Sequence, residues 1–284
     1  MQVTDIRTIC VCGAGTMGRG IAQVCAAAGF NTILYEVNAT VLAGAEQQLN
    51  NDLEMLVNKQ KITTDKKAAM LGNLRFTSDL QQCKAEVIVE AVVEVQEIKI
   101  NLLNQLAAIN DSNTILASNT SSLPLSAIAE AVDGSHRVAG LHFFNPAPLM
   151  KLVEVVRAQQ TSEEVIQLLV QLTQLLQKVP VVCTDAPGFI VNRVARPYYI
   201  EALRMAEENM GDAAVIDRLL ESRGFKLGPF RLMDLIGNDI NYAVSCSVYE
   251  QLERPERLKP SFIQKQKVER GELGRKTKQG YYSY

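Results

Sequence analysis

Apolar and polar positions alternate along the first half of the chain in two periods, one of short buried runs and one of helical stripes. Thr8–Cys12 (TICVC) is apolar and partly β-branched, which predicts a buried strand. Gly13–Gly20 follows, Ile21–Ala28 has helical character, and Gly29 ends that helix as a C′ glycine does. Thr32–Tyr35 (TILY) predicts a second strand, closed by Glu36. Together they make a βαβ unit of about 30 residues. Residues 39–75 interrupt the alternation. Leu42, Leu49, Leu53 and Leu56 form one helical stripe and a second helix is expected over 64–72, so a helical hairpin is inserted in the sheet's crossover. Strands are then expected at Glu86–Val92, Thr114–Ala117, Val138–Leu141 and Leu152–Val156, with helices at Ile98–Ile109 and Leu125–Val132. Repeated strand–helix alternation predicts an α/β, Rossmann-type, mainly parallel sheet covered on both faces.

The pattern changes after Thr161. Thr161 and Glu164 have the spacing of a capping box for a helix over 162–178, and Val179–Cys183 is a last short strand. From Phe189 onward the pattern is helical, with Pro187 and Gly188 at the expected boundary. Two domains are therefore expected: 1–186, an α/β domain, and 187–284, an all-α domain. In Phe189–Asn209 the apolar surface comes from Ile190, Val194, Tyr198, Leu203 and Met205. Pro197 should kink that helix or end its first segment.

Composition agrees with two ordinary globular domains. The chain has 284 residues, 47% hydrophobic and 21% charged, enough for a core without disulfide staples and unlike a disordered or collagen-like chain. Thirty-one acids against 29 bases give a net charge of −2, which argues against a nucleic-acid partner. Residues 254–284 alone depart from this, with nine Lys/Arg against three Glu; they read as a solvated segment or as a basic rim near a phosphate-bearing ligand. Six cysteines without CxxC spacing and two histidines give no zinc pattern, and no metal is expected. Cys10 and Cys12 read as small buried side chains, and the usage suits a reducing compartment. The N-terminus does not read as a signal peptide and no apolar run approaches the roughly 20 residues of a membrane span. A cytoplasmic protein without a membrane partner is expected.

The first candidate chemistry is Gly13-Ala-Gly15-Thr16-Met17-Gly18, a GxGxxG between a predicted strand and a predicted helix. Gly13 permits the tight turn, Gly15 the approach of a pyrophosphate, and Gly18 close helix–strand packing. Glu36, at the end of the next strand, can accept hydrogen bonds from ribose hydroxyls and would repel a 2′-phosphate. Val37-Asn38-Ala39 offers no cation to receive one, so NAD is preferred to NADP. Three polar clusters then fall at expected strand ends: Ser118-Asn119-Thr-Ser121-Ser122, His142-Phe-Phe-Asn145-Pro, and Glu154. His142 could act as general base, with Glu154 accepting its other ring N–H. Each has a plainer alternative: a core histidine, a solvated glutamate, a turn rich in local backbone bonds. His136, in the polar loop DGSHR, is expected to be exposed.

The stretches GAGTMGRGIAQ, EAVVEVQEIK, ILASNTSSL, GLHFFNPAPLMKLVEVV, DAPGFIVNR, LGPFRLMDLIGND and GRKTKQGYYSY carry a further reading. In them the chain resembles the L-3-hydroxyacyl-CoA dehydrogenases from about residue 7 to its end. The resemblance implies reversible NAD-dependent oxidation of a (3S)-3-hydroxyacyl-CoA, short-chain such as 3-hydroxybutyryl-CoA, to the 3-oxoacyl-CoA, within β-oxidation. It implies that His142 takes the 3-hydroxyl proton, Glu154 is its paired carboxylate, Ser121 bonds the reacting oxygen and Asn192 helps place the substrate. It adds Thr16, Met17, Ala91, Glu94, Lys99 and Asn119 to the cofactor residues, and Asn145 and Lys59 to the substrate residues, Lys59 toward the coenzyme A moiety. An exposed helix-end lysine is the alternative for Lys59. A homodimer through the helical domain is implied as well.

NRVARPYYIEALR and NDINYAVSCSVYE also resemble 3-hydroxyadipyl-CoA dehydrogenases of aromatic-compound breakdown. Arg196 could there receive a distal carboxylate, or be solvated on its helix. A sugar-acid dehydrogenase on the same His–Glu scaffold and a non-catalytic NAD-binding protein are the remaining alternatives.

Overall fold

A computed structural model describes the whole chain, Met1–Tyr284. It divides into two compact units, Met1–Asp185 and Ala186–Tyr284. The first is built on eight strands: β1 (Thr8–Cys12), β2 (Asn31–Tyr35), β3 (Leu74–Thr77), β4 (Val87–Glu90), β5 (Ile115–Ser118), β6 (Val138–Phe143), β7 (Leu152–Arg157) and β8 (Val179–Thr184). They form one sheet in the order β3-β2-β1-β4-β5-β6-β7-β8. Every neighbouring pair is parallel except β6–β7. The chain lays β2 and β3 on one side of β1 and β4 on the other, so the carboxyl ends of β1 and β4 form the switch point where such sheets bind ligands.

Continuous apolar runs become the central strands because both faces are covered. β4, β5 and β6 are buried at every residue, and Ile9, Val11, Val89 and Leu141 share one core. The covering helices are α1 (Thr16–Ala27), α2 (Ala39–Asn58), α3 (Thr64–Gly72), α4 (Gln96–Ile109), α5 (Leu125–Glu130) and α6 (Glu163–Leu175). α2 and α3 are the inserted hairpin, where Leu49 and Leu53 pack on Met70 in a core of their own.

Three expectations are corrected. Leu74–Thr77 (LRFT), to which the apolar pattern assigns no strand, pairs with β2 as an edge strand. With only four residues and two of them half-buried, it lacks the apolar run of a central strand. The cap of α6 is Ser162, whose hydroxyl accepts from the Val165 N–H, not Thr161. Thr161 is buried instead, accepting from the Ala158 N–H and donating to the Val138 carbonyl. β6 runs two residues further than expected, so His142 lies within the strand.

The second unit is all-helical: α7 (Val191–Glu207), α8 (Ala213–Ser222), α9 (Pro229–Ile236), α10 (Asn238–Gln251) and α11 (Phe262–Glu269). Tyr199, Leu203, Ile216, Phe230 and Met233 form one core and Ile200, Val244, Val248 and Leu258 another. α7 continues through Pro197 without ending there. Pro197 sits on an exposed position, where a carbonyl deprived of its donor can be solvated. No helix is long and apolar enough to cross a membrane.

Candidate active site at the carboxyl ends of the strands

The turn after β1 is shaped by two glycines and opened by a third. Gly13 has φ +104°, and a Cβ there would lie 2.6 Å from the Ala91 carbonyl oxygen. A Cβ on Gly18 would meet the Gly13 carbonyl at 1.8 Å. Gly15 has nothing within 4 Å, so the bare backbone there serves no packing of the protein's own. Gly15 also N-caps α1 without a side-chain acceptor. Thr16 and Met17 thus open a helix whose first N–H groups take no side-chain cap, the arrangement a pyrophosphate requires. Glu36 closes the far side of the crevice. One of its oxygens accepts from the Ala14 N–H at 3.1 Å and the other from the Asn38 N–H at 3.1 Å. Unclaimed room at Gly15 and a carboxylate after β2 fit NAD.

The next two strand ends are joined by a carboxylate. Glu94 follows β4, and one of its oxygens accepts from the Thr120 hydroxyl at 2.6 Å, the Ser121 N–H at 2.9 Å and the Ser122 N–H at 3.2 Å. Its other oxygen lies 3.2 Å from Lys99 Nζ. Burial alone would raise the Glu94 pKa, but the Lys99 charge and these hydrogen bonds outweigh it and leave the carboxyl below its usual range. Asn119 accepts from the Phe143 N–H at 2.8 Å and so ties the loop after β5 to the end of β6.

His142 and Glu154 are directly paired residues on antiparallel β6 and β7. The register alone therefore brings the imidazole and the carboxylate to one face of the sheet. Nδ1 lies 2.7 Å from Glu154 Oε2, with His142 5% exposed and Glu154 fully buried. The carboxylate fixes the tautomer with the proton on Nδ1 and would stabilise an imidazolium. Phe144 packs on the ring, centroids 4.6 Å apart. The solvated reading of Glu154 is excluded by its burial.

The other candidates stand on other elements. Asn145 is exposed just beyond β6, and Lys59 is exposed at the end of α2, its ammonium against Met55 Sδ. Asn192 is half-buried in the first turn of α7. Its carbonyl accepts from Arg196 Nε at 2.9 Å. Arg196 is 3% exposed, which corrects the solvated alternative. It donates to the Asn241 carbonyl and the Ser245 hydroxyl and stacks on the Tyr199 ring. Burial brings its pKa down to about 10. His136 is exposed, as expected.

Among the buried charges that escaped the sequence reading, two lie near this site. Glu90, the last residue of β4, is fully buried against Lys99 at 2.7 Å. Lys178 is buried beneath the loop after β6 and donates to the carbonyls of Ala147, Pro148 and Met150. Burial, with Lys151 nearby, lowers its pKa. Both lay in apolar or ordinary surface-like sequence, which carries no mark of a buried charge.

An open glycine turn and an uncapped helix N-terminus at the switch point, with a buried acid–base pair three strands along, define an NAD-binding α/β protein of the dehydrogenase type. The chain belongs to the 3-hydroxyacyl-CoA dehydrogenase family: residues 8–186 match its NAD-binding domain and residues 188–284 its C-terminal domain. It is 43% identical over 285 residues to the 3-hydroxyadipyl-CoA dehydrogenase of Escherichia coli, covering all of this chain but 60% of that relative's length. It is 38% identical to the mitochondrial hydroxyacyl-coenzyme A dehydrogenase of Rattus norvegicus, over 98% of this chain and 91% of the relative. The structure of the (S)-3-hydroxybutyryl-CoA dehydrogenase of Ralstonia eutropha superposes with a TM-score of 0.93 at 34% identity, over 98% of this chain and 99% of that one.

Proposed function

We propose that this chain catalyses the reversible NAD-dependent oxidation of (3S)-3-hydroxyacyl-CoA thioesters to 3-oxoacyl-CoA, short acyl chains such as 3-hydroxybutyryl-CoA foremost. The observation that carries the reading is the buried 2.7 Å contact between His142 Nδ1 and Glu154. It sets Nε2, across the ring, as the atom that takes the 3-hydroxyl proton. NAD, when bound, supplies the hydride acceptor. Glu154 holds the tautomer and offsets the charge that His142 acquires. Ser121 bonds the reacting oxygen, Asn192 orients the substrate, and in the reverse direction protonated His142 is the acid. The glycine turn with Thr16 and Met17 holds the pyrophosphate, Glu36 the adenosine ribose, and Ala91 and Asn119 border the nicotinamide half. Lys59 meets a coenzyme A phosphate. The helical unit serves dimerisation, for which exposed Val194, Leu219, Phe225 and Phe262 supply apolar surface. A reducing, cytoplasmic setting and a place in fatty-acid breakdown belong to the same proposal.

Arg196, buried with its donors on carbonyls and a hydroxyl, is not placed to receive a distal carboxylate, but a second reading is favoured by the 43% identity to a relative named 3-hydroxyadipyl-CoA dehydrogenase. On that reading the preferred substrate is a dicarboxylic 3-hydroxyacyl-CoA such as 3-hydroxyadipyl-CoA. Consumption of NADH, followed by absorbance, with acetoacetyl-CoA, 3-oxoadipyl-CoA and free acetoacetate, each repeated with NADPH, tests both. Turnover with NADH and a thioester is the expected result, and the ratio of the two thioesters chooses between the readings. NADH binding without turnover of either thioester would overturn the proposal in favour of a sugar-acid dehydrogenase or a non-catalytic protein.

A further inference from the structure

The loop between β6 and β7 lacks donors of its own. It contains Pro146 and Pro148, neither of which has an N–H, so its carbonyls need donors from elsewhere. The Pro146 carbonyl accepts from the Leu149 and Met150 N–H groups, each at 3.0 Å. The Lys151 carbonyl accepts from the Val179 N–H at 2.8 Å, at the start of β8. The carbonyls of Ala147, Pro148 and Met150 are met by Lys178 Nζ, at 2.6, 3.3 and 2.8 Å. An ammonium has three N–H donors, and one loop engages them all. The backbone aims Lys178 there. Gln177, at φ +57°, is the left-handed residue that closes α6, and the Lys178 N–H returns to the Thr173 carbonyl at 3.1 Å. From α1, Gly20 meets the same loop: a Cβ there would lie 3.2 Å from Ala147 Cβ and 3.3 Å from Pro148 Cδ. Ala147 is buried in the core, but Leu149 and Met150 are exposed, so packing does not hold the tip.

We propose that Lys178 is a positioning residue, which clamps the backbone of 146–150 against α1 and so fixes Asn145, at the head of the loop, for the reaction at His142. The proposal rests on the dehydrogenase reading in giving Asn145 a substrate to meet. Asn145 follows His142 by three residues, and Phe144 between them packs on the imidazole. A loop that shifts therefore shifts the surroundings of the base. Bonds from a charged donor are about twice as strong as neutral ones, and three of them converge here. A neutral side chain in place of Lys178 would leave the three carbonyls to water or to a displaced loop. A displacement of about 1 Å at a substrate contact can cost about 10²-fold in rate. Lys178 acts through the loop and not on the substrate, because its donors are engaged by carbonyls.

The test uses Lys178→Met, Gly20→Ala and Asn145→Ala singly, and Asn145→Ala combined with each of the other two. Lys178→Met removes the clamp. Gly20→Ala leaves Lys178 in place and crowds the loop from the side of α1. Two readouts are taken: amide hydrogen exchange at Leu149 and Met150, and kcat/KM for acetoacetyl-CoA at saturating NADH, per folded molecule. In Lys178→Met, exchange should quicken about tenfold and kcat/KM should fall about 10- to 10²-fold. In Gly20→Ala, kcat/KM should fall about two- to tenfold. Each double variant should stay within about twofold of Asn145→Ala alone, because the clamp works through that residue. A folded Lys178→Met with wild-type kcat/KM would make Lys178 a structural ion and overturn the proposal. Losses that multiply in the double variants would route its effect around Asn145 and overturn it equally. If Lys178→Met does not fold, Gly20→Ala and its double variant decide by the same two criteria. Absence of thioester turnover in wild type would sink the dehydrogenase reading, while hydrogen exchange would still decide the clamp: unchanged exchange at Leu149 and Met150 in Lys178→Met would refute it.

Discussion

The α/β unit alone buries charge in acid–base pairs, although its Lys178 and Arg137 are met by backbone carbonyls. In the α/β unit, Lys99 meets Glu90 and His142 meets Glu154, each pair at or near the carboxyl end of a strand. In the helical unit, buried charges are met by backbone and hydroxyl groups. Asp217 accepts from the Phe230 and Arg231 N–H groups, capping α9, and from the Tyr282 hydroxyl. Asp234 accepts from the Tyr281 and Tyr282 N–H groups, the Tyr284 hydroxyl and Asn238 Nδ2. Arg196 donates to carbonyls and to Ser245. A charge matched by fixed dipoles pins the chain that carries those dipoles. A charge matched by a titratable group leaves a proton that can be exchanged, which acid–base catalysis needs. Burial of a charge is therefore no guide to function until its partner is known.

The largest expected effect tests the first half of that contrast. His142→Gln should lower kcat about 10²–10⁴-fold, the usual worth of general acid–base catalysis. The Kd of NADH, measured by fluorescence titration, should barely change. Near-normal turnover by this variant would break the comparison at its strongest point.

Asp234→Asn tests the other half. The variant keeps the shape but loses the ionised acceptor of the C-terminal segment, so several buried donors lose strength together. Stability to denaturant should fall by roughly 3 kcal/mol. The kcat of the protein that remains folded should be unchanged. A lowered kcat with intact stability would show that this backbone-matched charge works in catalysis after all.

The same contrast explains what could be read from the chain. The glycine turn, Glu36, the central strands and the helical second half were legible because each leaves a periodic or spaced mark. The antiparallel register that sets His142 opposite Glu154 was not read from the chain, although residues 144–151 are too few for the crossover a parallel pair would need. Glu90, Lys99 and Lys178 were not legible as buried, since a lone Glu or Lys looks alike in sequence whether its charge is matched inside or by water. β3 was missed because an edge strand needs no continuous apolar run. Thr161 looked like the cap of α6 because Thr161 and Ser162 are adjacent, and only the three-dimensional path sends one hydroxyl to the helix and the other to Val138.

A smaller effect is expected at Glu36, half-buried at the rim. Glu36→Gln should weaken NADH binding about tenfold, the scale of one charge-assisted hydrogen bond. NADPH binding should weaken less, or improve, because the repulsion of a 2′-phosphate is removed. The ratio of the two Kd values by titration calorimetry checks it, and an unchanged ratio would leave Glu36 only its bonds to Ala14 and Asn38.

The smallest effect belongs to a charge that is not buried at all. Lys59 is exposed at the C-terminal end of α2, where water and salt screen it. If it meets a coenzyme A phosphate, Lys59→Ala should raise the KM for acetoacetyl-CoA about two- to fivefold, as screened surface pairs do. The increase should shrink as salt is added, with kcat unchanged. If it only complements the helix terminus, KM should hold while the melting temperature drops slightly. The two outcomes are exclusive in their salt dependence, since only the first makes the wild-type KM rise with ionic strength toward that of the variant. Steady-state kinetics at low and high salt therefore decide between them, and a KM that ignores both the substitution and the salt would remove Lys59 from the substrate residues.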